Sequence, residues 1–552
     1  MRPRTSSAHR LFPLLCCLVA AVGSGALKVE FDSLMAEAAT PPTMTTGDGD
    51  NEGAERPRIG SAAADDGAGD RGAMAEAAAA AGVDGGGPGT GVAAAVSGEE
   101  VDLDDSVLVD PASSGRPWSE LGAAEGLLTF RGNPTRTYHG RGPVPDDAEV
   151  LWSFPIGCAN SSVGNEIKQW CGSGWTGQPA VFRSPVNGQW TLAFGAYNRS
   201  VNFLDPVTGT EVMSPYPTAD IIKGSVTIDP DGFPLLYTGS RDNYFHVVAL
   251  DRGEPQQLWS LSADAVQPTM WNNDWDGSAL VIDDRLYVGG ENGRFFVIDL
   301  HRNHGPDGEV TVAPEIAFTT ESWDDELLAA IGDQEVSVEN SVAISGDTVY
   351  FANSGGLVQG WDMSGLDEGR TPTRTFRFWT GDDTDATIVI DDEGMLYVAS
   401  EYERGTARSE EVGQIMKLDP SSPDDPLVWG QASRAGLDSG VWATPALWRD
   451  LLIVATNEGE VRGLDRTTGE QRWSLPLQGP LWSSPVVVDD VLIQGDCGGV
   501  LHAFDLTAGD VPLDRPAKRW AVELGGCIES TPAVWDGRLF VGTRAGNFYA
   551  VG

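Results

Sequence analysis

The sequence predicts an all-β chain: an eight-bladed β-propeller, closed by an N-terminal strand and preceded by a disordered leader. Three observations predict it. An apolar strand ending in Asp, most often as Leu-Asp, recurs at Asp205, Asp251, Asp299, Asp362, Asp419, Asp465 and Asp505. The intervals are 46, 48, 63, 57, 46 and 40 residues, each the size of one four-stranded blade. An eighth copy, Gly537-Arg538-Leu539-Phe540-Val541-Gly542 followed by Phe548-Tyr549-Ala550-Val551, stops one strand short. Val150-Leu151-Trp152-Ser153-Phe154 is an orphan strand carrying the Trp that outer strands carry elsewhere. Pairing the two closes the ring and removes both sheet edges. The count falls to seven if the 63-residue or the 57-residue interval is not one blade.

In chain order, Arg2, Arg4 and Arg10 flank the apolar stretch Leu11 to Val22, and Ser24-Gly25-Ala26 offers the small residues that a signal peptidase cuts after. Residues 1–26 therefore read as a signal peptide or, if uncleaved, an anchor, although the stretch is short for a membrane span. Cys16 and Cys17 follow Leu-Leu, a poor match to a lipoprotein box. Residues 27–119 are Ala, Gly, Asp and Glu with almost no aromatics, too little apolar surface to offset the entropy of ordering, and read as a disordered acidic linker. Residues 120–149, with Phe130-Arg131-Gly132-Asn133-Pro134-Thr135-Arg136, read as an ordered extension, and 150–552 as the propeller. The expected location is exported: extracellular, periplasmic or in the cell envelope.

The 68 Gly, 18 Trp and 10 Tyr suit many tight turns and aromatic-docked strands. A net charge of −45, from 81 acids against 36 bases, excludes nucleic acid as a partner, because no basic surface is left to displace phosphate counterions. The linker from 27 to 118 holds 18 acids and 5 bases, so most of the charge belongs to the part that folds. Such acidity serves solubility in a salty or acidic exterior, or the capture of cations.

Gly463-Leu464-Asp465-Arg466-Thr467-Thr468-Gly469-Glu470-Gln471-Arg472-Trp473 resembles the tryptophan-docking repeat A-x-D-x-x-x-G-x-x-x-W of quinoprotein propellers, with Gly463 in place of the Ala. In physical terms Asp starts the turn, Gly takes a positive φ, and Trp packs on the neighbouring blade. Weaker copies run from Leu204-Asp205 to Gly209, from Leu250-Asp251 to Trp259, and from Ala503-Phe504-Asp505 to Gly509. The resemblance spans about 150–552 and is to the PQQ-like propellers of exported bacterial proteins. It implies either a quinoprotein dehydrogenase, with pyrroloquinoline quinone (PQQ) and Ca²⁺, or a cofactor-free scaffold of the BamB-like, outer-membrane assembly kind. The propeller lacks the adjacent Cys-Cys pair that alcohol dehydrogenases of this group place over the quinone, and it lacks a CxxCH haem site.

The innermost strands begin near Gln178, Ser225, Ser278, Ser341, Thr387, Thr444, Ser484 and Thr531. Period-two alternation puts the residues two earlier on the same side: Thr176, Lys223, Asp276, Glu339, Asp385, Trp442, Trp482 and Glu529. One mouth of the central channel is thus expected to carry four carboxylates, one Lys and two Trp. Asp276, Glu339, Asp385 and Glu529 are candidate Ca²⁺ ligands, with the hard oxygen donors that ion takes. Trp442 and Trp482, with Lys223, are candidate cofactor-binding residues, and Asp385 is the candidate base of a quinoprotein. A solvated channel lining is the bland alternative.

Cys158 and Cys171 lie between the closing strand and the first inner strand; Cys497 lies in a strand 2–3 turn and Cys527 before the last inner strand. In a propeller these connections share one face, so the pairs Cys158–Cys171 and Cys497–Cys527 are expected to staple it. Free thiols are the alternative. The loops Ser322-Trp323-Asp324-Asp325-Glu326 and Ser409-Glu410-Glu411 enlarge blades 4 and 5. No Gly-x-Ser-x-Gly elbow accompanies the six scattered His. The favoured function is an exported, non-enzymatic binding or scaffold module that engages a protein, peptide or envelope component through its top face. Its Ca²⁺ site would lie at the channel mouth, and any membrane contact would run through the N-terminal segment alone. The alternative is a PQQ/Ca²⁺-dependent dehydrogenase of alcohols or sugars.

Overall fold

The computed structural model describes residues 124–163, 166–175, 177–507 and 515–552. The signal segment, the acidic linker, Thr176 and Gly509 lie outside them. Among the described residues no helix is long and apolar enough to cross a membrane.

Eight antiparallel sheets follow one another around a ring. Blade 1 is built from Ala180–Arg183, Trp190–Ala196, Ser200–Leu204 and Glu211–Pro217, counted from the innermost strand outward. Blades 2 to 7 span 227–262, 280–321, 343–379, 389–431, 446–476 and 486–523. Both long intervals in the sequence hold single blades. The first contains an inserted hairpin, Asn303–His304 with Val310–Thr311, and a helix, Asp325–Ile331. The second contains the helix Ala407–Val412. Both helices were expected as loops. Asp324 and Thr406 make them, each side chain accepting the N–H three residues on, at Leu327 and Ser409.

Blade 8 takes its inner three strands from 533–551 and its outer strand from Val150–Pro155, with Phe154 opposite Phe548 and Trp152 opposite Ala550. The closing strand also supplies the docking tryptophan. Trp152 lies on the turn of blade 1, where a Cβ on Gly209 would come within 2.6 Å of its indole, and its Nε1 donates to Pro206 O. Trp429 of blade 5 repeats the arrangement on Gly469 (φ +74°) of blade 6, donating to Arg466 O. Asp465 shapes that turn by accepting from the N–H groups of Thr467 and Thr468.

A belt of hydrogen bonds joins the inner strands at their upper ends. The N–H groups of Gln178, Ser278, Ser341, Thr387 and Thr444 donate to the hydroxyls of Ser225, Ser341, Thr387, Thr444 and Ser484, each on the next blade. The small-polar pattern of the sequence therefore holds adjacent blades together. Gly224 belongs to this crowding: a Cβ there would meet Asp276 O at 1.9 Å.

Residues 124–141 are built into the propeller rather than standing apart from it. Gly126–Leu127 pairs with the inner strand of blade 1, and Gly140–Arg141 runs parallel to that of blade 8. Between them the chain crosses the channel beneath the belt, with bonds to the other six blades. Leu128 O, Pro134 O and Thr135 O accept from Ile228, Ile344 and Ile390. Thr129 bonds to Ser278, Arg131 donates to Thr444 O, and His139 accepts from Val487 N–H. Arg131 and Arg136 are fully buried, Arg136 bonding to Val342 O, Ser278 O and Phe130 O. Carbonyl oxygens thus stand in for the water that a guanidinium loses on burial.

Candidate functional site

Above this segment the channel narrows to a cup with about 20 Å³ of free volume, lined by Phe130, Trp175, Asp276, Glu339, Asn340, Asp385, Trp442 and Trp482. Phe130 from the crossing segment is its floor. The walls come from the ends of successive inner strands, so one half is acidic (blades 3, 4 and 5) and the other aromatic (blades 6 and 7, with Trp175 before blade 1). The room holds one water-sized group.

On the acidic side the Lys223 ammonium sits 2.5 Å from Asp276 Oδ2 and 3.5 Å from Glu291 Oε1, and 5.0 Å over the ring of Trp175. Carboxylate oxygens of Asp276, Glu291 and Glu339 all lie within 4.8 Å of one another, as do those of Asp383, Asp385 and Glu401. Glu339 Oε1 accepts from the hydroxyls of Ser337 and Ser354, and Asn272 donates to Glu291 Oε2. Burial drives the Asp276 carboxyl well above its usual value against the pull of Lys223. The Lys223 ammonium loses by burial, yet its neighbours Asp276 and Glu291 hold it well above the ordinary lysine value. Behind them Asp274, 2.5 Å from Arg241 Nε, is raised by burial and by Glu291 to about 7.

Glu529 does not join this cluster. It is fully buried against Arg544, whose Nη1 lies 3.0 Å from Oε2, so its carboxylate is spent on a structural pair. The candidate ligands Asp276, Glu339 and Asp385 all line the cup, Asp276 and Glu339 in one group of carboxylates and Asp385 in the other.

These raised acids make a stability prediction. A carboxyl near 7 in the fold and 3.8 when unfolded binds protons more tightly in the native state, so its contribution is full below about 4 and fades as pH rises to 7. Urea midpoints should therefore be higher at pH 5 than at pH 8. Asp274→Asn should flatten the difference; an unchanged slope in that variant would refute the assignment.

On the aromatic side Trp442 stacks on Trp482 with ring centroids 5.2 Å apart and planes 21° apart, and Trp175 leans on Trp442 at 5.1 Å. The two facing rings stack directly on each other and leave no slot between them for a third, so these side chains offer PQQ no sandwich. The all-oxygen donors do suit a hard cation. The Cys497–Cys527 disulfide packs against the same tryptophans. Cys158–Cys171 pins the base of the hairpin Cys158–Val163 and Glu166–Cys171 on the same face. Both disulfides agree with an oxidising compartment.

Comparison with known proteins points the same way as the repeats. The PQQ_2 family model, described as outer membrane protein assembly factor BamB, matches residues 411–512. Over that stretch the chain resembles the PQQ-like repeat propellers. Quinohemoprotein alcohol dehydrogenase ADHIIG from Pseudomonas putida HK5 superposes with a TM-score of 0.54 at 10% identity, covering 77% of this chain and 80% of its own. The quinohemoprotein alcohol dehydrogenase from Comamonas testosteroni gives 0.51 at 12% identity, covering 80% and 83%. BamB from Moraxella catarrhalis gives 0.45 at 16% identity, covering 73% and 97%. No curated protein sequence matches.

In this propeller, Glu291, Glu401 and Arg544 escaped the sequence reading, as did Phe130 and Trp175. A signal for the first three was present. Each follows the second strand of its blade, after Gly290, Ser400 and Thr543. Aligning those turns, as the inner-strand starts were aligned, places a second ring of side chains behind the first. Phe130 gave no signal, because only the path of the extension through the channel brings it there.

Proposed function

We propose that the protein is an exported, non-enzymatic binding module that works through the top face of its propeller, with the acidic cup as a cation-holding centre. The observation that carries this reading is a recess with room for one small group, lined by Asp276 and Glu339 from one group of carboxylates and by Asp385 from a second. Among metals, Ca²⁺ matches the donors, which are all oxygen. The binding role is supported by the family model's description as an assembly factor and by top-face loops that add helices and a hairpin to the ring. Residues 1–26 would direct export, the partner would be a protein, peptide or envelope component, and any membrane contact would run through an uncleaved N-terminus.

The full chain titrated with CaCl₂ tests this. Thermal stability should rise and the tryptophan emission change, with both responses lost in Asp385→Asn. Adding PQQ with Ca²⁺ should yield no dye-linked oxidation of alcohols or sugars. Oxidation would replace the binding module with a dehydrogenase, and a Ca²⁺ response unaltered in Asp385→Asn and in Glu339→Gln would remove the cup from the reading.

A further inference from the structure

We infer that the groove between blades 6 and 7 is a binding site for a small phenol with an anionic tail, a hydroxyaryl carboxylate. Its hydroxyl bonds to His502 and its carboxylate faces Arg515 and Lys518. None of the residues that line the cup takes part, so the inference stands apart from the cation-holding reading.

The groove holds about 580 Å³, within the range of small-molecule sites. Leu475, Leu477, Val500, Phe504 and Pro516 make its walls largely apolar, and Lys518 and Arg515 bring positive charge to it. His502 lines it too, with 8% of its surface exposed, and stacks on Phe504 with ring centroids 5.8 Å apart and planes 18° apart. Its Nε2 lies 2.8 Å from Asp496 Oδ2. Burial raises the Asp496 carboxyl, but His502 and the N–H groups of Val500 and Gln478 outweigh it and hold the group below its usual value. That carboxylate therefore accepts from Nε2–H, and the neutral ring has Nδ1 left as an acceptor. His502 Nδ1 is buried and has no partner among the described residues.

The junction between blades 1 and 2 shows what a histidine in this position takes. His246 is its counterpart, since each histidine precedes the residue opposite the tryptophan of the outer strand: Val247 faces Trp259, and Ala503 faces Trp520. His246 likewise sets Nε2 against an aspartate, Asp242 Oδ1 at 3.2 Å. Its Nδ1, however, meets the Tyr216 hydroxyl at 3.0 Å, and that hydroxyl donates to Gln257 Oε1. Strand register puts Leu475 where Tyr216 stands, Val461 pairing with the one as Val201 does with the other. It puts Lys518 where Gln257 stands, opposite Phe504 as Gln257 is opposite Val248. The junction of blades 6 and 7 thus keeps the histidine and the space but lacks the phenol.

Chemistry selects the ligand. An aromatic ring suits apolar walls and carries a hydroxyl to the histidine as Tyr216 does. Water alone is a poor occupant, because an ordered water needs about 2–4 polar partners and most of the walls offer none. Where Gln257 offers an acceptor, Lys518 brings a cation instead, and with Arg515 it suits an anionic tail on the ligand.

The test uses the full chain, calorimetry at pH 8 and 4-hydroxyphenylacetate as the probe, which should bind. Phenylacetate, which lacks the hydroxyl, and tyramine, whose tail is cationic, should each bind at least about tenfold more weakly. The probe should lose as much on His502→Phe, which keeps a ring against Phe504. Leu475→Tyr combined with Lys518→Gln rebuilds the junction of blades 1 and 2, so it should abolish binding and unfold at higher urea than wild type. Equal binding of phenylacetate would overturn the hydroxyl assignment, and equal binding of tyramine the anionic one. No binding of any of the three at millimolar concentration would remove the inference and leave the groove to water, whatever the Ca²⁺ response of the cup. The comparison among the three ligands uses wild-type protein and is decisive even if a variant fails to fold.

Discussion

Replacing Lys223 by Met should lower the stability of the propeller by about 3–5 kcal/mol at pH 8, the usual cost of stripping one partner from a buried ion pair. The side-chain volume is nearly conserved, so the loss comes from charge. Asp276, only 5% exposed, would keep Glu291 and Glu339 as neighbours with no cation to balance it. The pH dependence separates this cause from a packing defect. Without Lys223 the Asp276 carboxyl rises further above its unfolded value of 3.8, and an acid with a raised pKa destabilises the fold increasingly as pH climbs from that unfolded value. Urea midpoints of variant and wild type should therefore converge toward pH 4 and diverge toward pH 8. The raised pKa of Lys223 acts in another window, its contribution being present below 10.5 and lost only above it. Adding Asp276→Leu to Lys223→Met should recover most of the loss, since the charge and its partner then leave together. A constant gap between the two curves at all pH values would show that the ammonium does not neutralise Asp276.

Trp152→Ala should be the most costly change outside the cup, about 3 kcal/mol or more by loss of a large packed aromatic. Its indole lies against Phe540 and Phe548 and on the Gly209 turn of blade 1. Trp429 makes the same contact between blades 5 and 6, yet those blades are also joined by the chain itself. Trp152 bridges the one junction where sequence continuity helps least, between the C-terminal strands and blade 1. Denaturant unfolding of Trp152→Ala should become broader as well as earlier, whereas Trp429→Ala should shift the midpoint with the slope kept. Equal slopes would mean that the closing strand holds blade 8 without its tryptophan.

Most of the ring was legible because each blade repeats the same few local requirements. The Asp465 turn, the Gly469 positive φ and the docking Trp leave a trace in every copy that keeps them. The closing strand was legible by subtraction, since blade 8 ended one strand short. The inner ring was legible through alternation, which placed Lys223, Asp276, Glu339, Asp385, Trp442 and Trp482 on one side of the channel. Glu529 met the same pattern and faces elsewhere, because alternation gives a side and not a partner, and Arg544 lies close enough to claim it. The helix at Asp325–Ile331 was hidden by length: seven residues give too little periodicity, and only the Asp324 cap marks it. The crossing segment was the least legible. Its bonds run to backbone groups and hydroxyls on all eight blades, and such partners leave no pattern in the segment's own residues.

That segment imposes an order on assembly. Residues 124–141 leave the ribosome before any blade exists, yet their last partners, in blades 7 and 8, are translated some 350 to 400 residues later. The closing strand waits for the same moment, since its partner ends at Val551. The start of the ordered chain is therefore held open throughout synthesis, and it settles only when the final strands arrive to wrap it. A ring threaded in this way behaves as a late-setting latch: a chain short of its last blade has nothing against which to seat Gly140–Arg141 or the closing strand, and the final strands set both at once.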